Sequence, residues 1–208
     1  MSGVVYLLAG NPRDRIRGVD PAMRAFFDEV RAKKPHVVYI GTASGDDRDF
    51  FEALRPRLLS SGAGEVELAP LCGAAANPPV ARRLLARADA VFVSGGDVAE
   101  GMACLRAHPG IVACLRRRFA AGVPFMGLSA GSIMLARGWV RWGDGAEKPD
   151  TVLECLGFAP LYCDVHGEED GWDELKTLLR LLPKSAVGYG IRAGGALRVS
   201  EGIAEALR

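Results

Sequence analysis

Short apolar runs, each followed by a longer stretch with helical spacing, recur over about 120 residues, and this alternation constrains the fold more than any other feature of the chain. The runs occupy residues 4–9, 37–41, 66–68, 90–93 and 124–126. Their near-continuous hydrophobicity suits strands that are covered on both faces. Between them, Asp20-Pro21 supplies a helix cap followed by proline at the first helical position. Met23, Phe26, Phe27 and Val30 then fall on one helical stripe. Phe50, Phe51, Leu54 and Leu58 mark a second helix, which stops near Ser61-Gly62. Further helices are expected at 80–88, 98–106 and 110–121. Strands alternating with helices predict an α/β fold with a mostly parallel, doubly wound sheet flanked by helices. A C-terminal β extension is expected near 186–199. No repeat, low-complexity segment or linker divides the chain, so residues 1–208 are read as one domain.

Composition closes off several function classes. Apolar residues make up 49% and charged residues 25% of the chain, and the net charge is +1, an ordinary globular balance without a large field. The densest basic cluster, Arg116-Arg117-Arg118, lacks interleaved aromatics and reads as a solvated helix face rather than a nucleic-acid patch. Five scattered cysteines (Cys72, Cys104, Cys114, Cys155 and Cys163) contain no C-x-x-C and read as free thiols in a reducing compartment. The N-terminal run has no basic region before it, and no segment approaches the roughly 18 apolar residues of a membrane span. The expectation is a cytoplasmic protein that engages neither nucleic acid nor membrane.

In such sheets ligands bind at the carboxyl ends of the strands. Glycine-containing turns sit at those ends in Gly10-Asn11-Pro12, Gly41-Thr42-Ala43-Ser44 and Ser94-Gly95-Gly96-Asp97. The fourth is Gly127-Leu128-Ser129-Ala130-Gly131, a G-x-S-x-G turn between a strand run and a helix-compatible segment. This pattern lifts a serine out of the backbone at the sheet rim. Serine needs a base, and the chain has three histidines. His36 opens a strand and His108 precedes Pro109 between helices, so both read as surface or locally satisfied. His166 follows the strand-like run 161–165 and precedes a helix expected at 172–182. The separation of 37 residues between Ser129 and His166 is short for an α/β-hydrolase, which disfavours that reading.

Gly127-Leu128-Ser129-Ala130-Gly131-Ser132, preceded by Val91-Phe92-Val93-Ser94-Gly95-Gly96-Asp97, resembles the dipeptidase E / cyanophycinase family of serine peptidases. The resemblance continues in order through Tyr39-Ile40-Gly41-Thr42-Ala43-Ser44, Leu156-Gly157-Phe158-Ala159-Pro160, Asp164-Val165-His166 and Gly190-Ile191-Arg192-Ala193-Gly194-Gly195-Ala196-Leu197. It implies a class I glutamine amidotransferase-like (flavodoxin-like) fold with serine in place of cysteine. It also implies Ser129 as nucleophile, His166 as general base, and the backbone N–H groups of Gly96 and Ala130 as the oxyanion hole.

Two departures from the family pattern matter. The family's usual glutamate position holds Ala193, so the acid that orients the imidazole must come from elsewhere. Asp164, Asp144, Glu168 and Glu169 are the candidates, and a strand through 164–166 would put Asp164 and His166 on one face. After His166 the chain reads Gly167-Glu168-Glu169-Asp170-Gly171-Trp172 where the family has an aromatic and arginines. The acids either cap the next helix or line the site and disfavour acidic substrates, so aspartyl specificity is not carried over. Arg192 and Arg13 are candidate carboxylate partners. The leading expectation is a serine peptidase acting on small peptides through an acyl-enzyme, with no cofactor and no metal. A homodimer is left open. The alternatives are a silent relative that binds a small ligand at the same rim, and an amidohydrolase acting on a non-peptide amide.

Overall fold

A computed structural model describes residues 3–10, 19–144 and 148–207. Five parallel strands form the heart of one sheet: β1 (Val5–Leu8), β2 (His36–Ile40), β3 (Glu65–Leu68), β4 (Ala90–Val93) and β5 (Phe125–Leu128). Their spatial order is β1-β5-β4-β2-β3. Beyond β1 the sheet turns antiparallel with β10 (Ala196–Ser200) and β11 (Ile203–Leu207). The fold class matches the sequence reading. The fifth strand runs two residues further than the apolar run suggested, through Gly127 and Leu128 to the residue before Ser129.

Alternate strand residues feed two cores. Val5, Leu7, Val38, Ile40, Val91, Val93 and Phe125 pack with α3 (Pro78–Arg87), α4 (Val98–Ala107), α5 (Pro109–Ala120) and α6 (Ala130–Leu135). Tyr6, Leu8, Val37, Tyr39, Val66, Phe92 and Met126 pack against α1 (Pro21–Glu29) and α2 (Arg48–Ser61). Asp20 caps α1 by accepting the N–H groups of Ala22 and Met23, as the Asp-Pro pair predicts.

Three features lay beyond the sequence reading. A hairpin of β6 (Gly138–Arg141) and β7 (Thr151–Glu154) follows α6. The run before His166 is β8 (Tyr162–Val165), which pairs in parallel with β9 (Gly188–Ile191) in a separate two-stranded sheet. The expected C-terminal extension is therefore two things, β9 in that small sheet and the β10–β11 edge of the main one. Between β8 and β9 lies α7 (Asp173–Arg180). Asn11, Pro12 and Arg13 lie outside the described residues. Among the described residues no helix is long and apolar enough to cross a membrane.

Candidate active site

β1, β5, β4 and β2 are in register so that their carboxyl ends lie side by side: Leu8 opposite Leu128, Gly127 opposite Val93, and Val93 opposite Ile40. Ser129 is the first residue past β5. Its backbone is at φ 52° and ψ −123°, in a region that L-residues rarely occupy. Anchors on both sides hold it there. Its N–H donates to the Leu8 carbonyl at 2.8 Å, and its carbonyl accepts from Ser132 N–H at 2.8 Å. The buried Ser132 hydroxyl donates to the same Leu8 carbonyl at 2.9 Å.

The flanking glycines are required by space. A Cβ on Gly131 would come within 2.1 Å of the Val93 carbonyl oxygen, and one on Gly127 within 2.6 Å of the Gly131 backbone. The turn at the end of β4 closes against the serine in the same way. A Cβ on Gly95 would stand 3.2 Å from Ser129 Cβ. Gly96, at φ 139°, leaves no room for a side chain beside the Ala43 carbonyl. Asp97 fixes this turn by donating its N–H to Ala43 O at 2.8 Å and capping α4 through Glu100 N–H.

His166 Nε2 lies 2.9 Å from Ser129 Oγ. The exposed imidazole is presented by the small sheet, because His166 N–H continues the β8–β9 ladder by donating to Ile191 O at 2.8 Å. His166 is already in a left-handed turn at φ 45°. The strand alternation expected to align it with Asp164 therefore ends one residue earlier.

Asp164 points elsewhere, which corrects the same-face expectation. It is only 5% exposed, and its carboxylate accepts the N–H of Val165 at 2.7 Å and the N–H of Leu175 in α7. Burial, reinforced by the charges of Glu174 and Asp170, pushes its pKa up to about 6. A raised carboxyl pKa means that the folded state binds the proton more tightly than the unfolded chain, so stability falls as pH rises from about 4 to about 6. Asp164→Asn is expected to remove this slope. Its stability relative to the parent should improve by about 2 kcal/mol between pH 4.5 and pH 7 in denaturant titrations. Parallel profiles for the two proteins would refute the assignment.

The remaining candidates separate clearly. Asp144 sits exposed in the β6–β7 connection, its N–H bonded to Lys148 O. Among the acids after His166, Asp170 holds the turn leading into α7, accepting the N–H of Trp172 at 2.9 Å and that of Asp173 at 3.4 Å. Glu168 instead reaches across to the turn after β9, where its Oε1 accepts Ala193 N–H at 3.0 Å. Hydrogen bonds from its own and the Ala193 N–H, with the charges of His166 and Arg192 beside it, hold its carboxyl below the usual range. Arg192 is exposed next to it. This pairing of residue 168 with residue 193 leaves no local signal in the sequence.

The other histidines are engaged away from the serine. His108 Nε2 meets Leu71 O at 2.9 Å. His36 Nε2 meets Glu67 at 2.6 Å in a His36–Glu65–Glu67 group at the amino ends of β2 and β3, where Arg87 also binds Glu67.

The model of peptidase family S51 matches residues 6–207. No curated protein sequence matches the chain. Among solved structures, a peptidase from an acI-B1 Actinobacterium superposes with a TM-score of 0.74 at 19% identity, covering 100% of this chain and 94% of that one. A protein described as peptidase E from Listeria monocytogenes EGD-e superposes with a TM-score of 0.69 at 17% identity, covering 100% and 99%. Both likenesses are of fold, and the fold is class I glutamine amidotransferase-like.

Proposed function

The chain belongs to peptidase family S51 and is a serine peptidase, and on that premise we propose that it hydrolyses small peptides, in the manner of a dipeptidase, through an acyl-enzyme on Ser129. The contact of 2.9 Å between Ser129 Oγ and His166 Nε2, on a serine raised out of the sheet at φ 52°, carries this reading. As Ser129 Oγ attacks the peptide carbonyl, His166 Nε2 takes its proton and then delivers it to the leaving amine. The oxyanion is received by the backbone N–H groups of Gly96 and Ala130, on the two turns that close around the serine. Water, activated by the same imidazole, releases the acyl group.

Glu168 is the acid we assign to the imidazole. It is anchored on Ala193 N–H, two residues beyond the Ile191 carbonyl that holds His166 itself. A carboxylate there stabilises the imidazolium that forms during attack. Glu168→Gln keeps the acceptor for Ala193 but removes the charge. It is expected to lower kcat/KM by about 10²-fold and to move the acidic limb of the pH–rate profile to lower pH. A purely structural role would lower thermal stability without moving that limb.

Two readouts test the function. A fluorophosphonate probe is expected to label Ser129, and His166→Ala to abolish labelling. A panel of dipeptides and aminoacyl amides then separates the readings. Labelling with turnover of amides alone means an amidohydrolase, whereas no labelling and no turnover means a silent ligand-binding relative.

A further inference from the structure

Cys72 and Cys104 are 32 residues apart in the chain, yet their sulfurs lie 2.6 Å from one another, within reach of a bond of about 2.05 Å. Cys72 follows β3 on the segment leading to α3, and Cys104 is in the second half of α4. Each is half-buried rather than sealed, unlike Cys114 and Cys163. Both flanking backbones are held. Asp46 Oδ2 accepts the N–H groups of Leu71 at 2.5 Å and Cys72 at 2.7 Å. Cys104 Sγ donates to Leu71 O at 3.4 Å. The two thiols therefore face each other across a fixed junction.

We infer that Cys72 and Cys104 form a reversible disulfide that staples α4 to the segment following β3. The inference needs no assumption about the substrate or the catalytic residues. A low-molecular-weight disulfide such as oxidised glutathione is a sufficient oxidant. The thiolate of one cysteine attacks a sulfur of that disulfide, expelling one thiolate and leaving a mixed disulfide. The second cysteine attacks the protein sulfur of that bond and expels the other. One external disulfide is reduced to two thiols, which carry away the two protons, and one internal S–S bond is gained.

Position gives the staple a consequence. α4 begins directly after Gly95-Gly96-Asp97, and Asp97 N–H is bonded to Ala43 O. A Cβ on Gly101 would come within 2.9 Å of Ala43 Cα, so the helix lies hard against the 42–44 turn. Oxidation thus braces the helix that starts from the β4 turn packed against Ser129.

The experiment incubates the purified chain with oxidised glutathione and maps its peptides without reduction. One Cys72–Cys104 link with loss of two hydrogens is expected. A rise of about 5–10 °C in Tm should accompany it, and dithiothreitol should reverse both. Cys104→Ser should collect glutathione at Cys72 without the rise in Tm, and Cys72→Ser serves if that variant does not fold. The inference is overturned if the oxidised wild-type chain keeps both thiols free, carries a separate glutathione on each, or forms the link with unchanged Tm.

Discussion

Alanine in place of Ser129 is expected to lower kcat/KM on a cleaved dipeptide by about 10⁴-fold or more while leaving the fold and Tm nearly unchanged. The magnitude follows from the role, since without Oγ no acyl-enzyme forms and only binding and the oxyanion donors remain. The stability expectation follows from the anchors, which are backbone groups of residue 129 and the hydroxyl of Ser132. His166→Ala should cost a similar factor. Because the two residues act as a unit, the double variant should be hardly worse than either single one. Steady-state kinetics on the three proteins give the answer. Loss of less than tenfold in Ser129→Ala, or costs that multiply in the double variant, would falsify the serine–histidine mechanism.

The second large effect is on folding. Gly131→Ala is expected to destabilise the protein by about 3 kcal/mol or more, enough to prevent accumulation of folded chain in a marginal case. Its Cβ would stand 2.1 Å from Val93 O and 2.7 Å from both Val93 C and Ser94 O. All three are backbone atoms of β4 and its turn, which cannot swing aside as a side chain does. Relief requires α6 to lift away from β4, and α6 begins at the residue after Ser129. Gly110→Ala is the matched control. It lies in the first turn of α5, and its nearest neighbour is the Arg82 guanidinium at 3.7 Å, so it should be neutral or slightly stabilising. Urea titrations of both variants decide the matter, and comparable midpoints would remove the steric account of the G-x-S-x-G turn.

Much of the molecule is legible in the sequence because its signals are local. Four buried strands announce themselves as apolar runs, while β3 at the sheet edge is buried only at Val66, and a helix cap such as Asp20 acts within three residues. The turn at 127–131 carries its own reason, since each glycine answers to backbone brought close by the strand–turn–helix geometry. His166 was found as a strand-end histidine, and it meets Ser129 at 2.9 Å.

Other parts were invisible for a corresponding reason. Alternation predicted Asp164 beside His166, but a left-handed residue at 166 ends the strand, and the buried carboxylate turns to the N–H groups of Val165 and Leu175. The partner strand that holds His166 is β9, about 25 residues later, with a helix in between. The amino-acid sequence by itself determined the α/β layering, the strand-end rim and the serine turn, because these follow from periodicity and backbone sterics within a few residues. Only the tertiary structure decided which carboxylate meets residue 193 and which two cysteines meet each other. Such pairings are fixed by how distant segments close against a common sheet, where contact depends on the packing of whole elements and not on spacing along the chain.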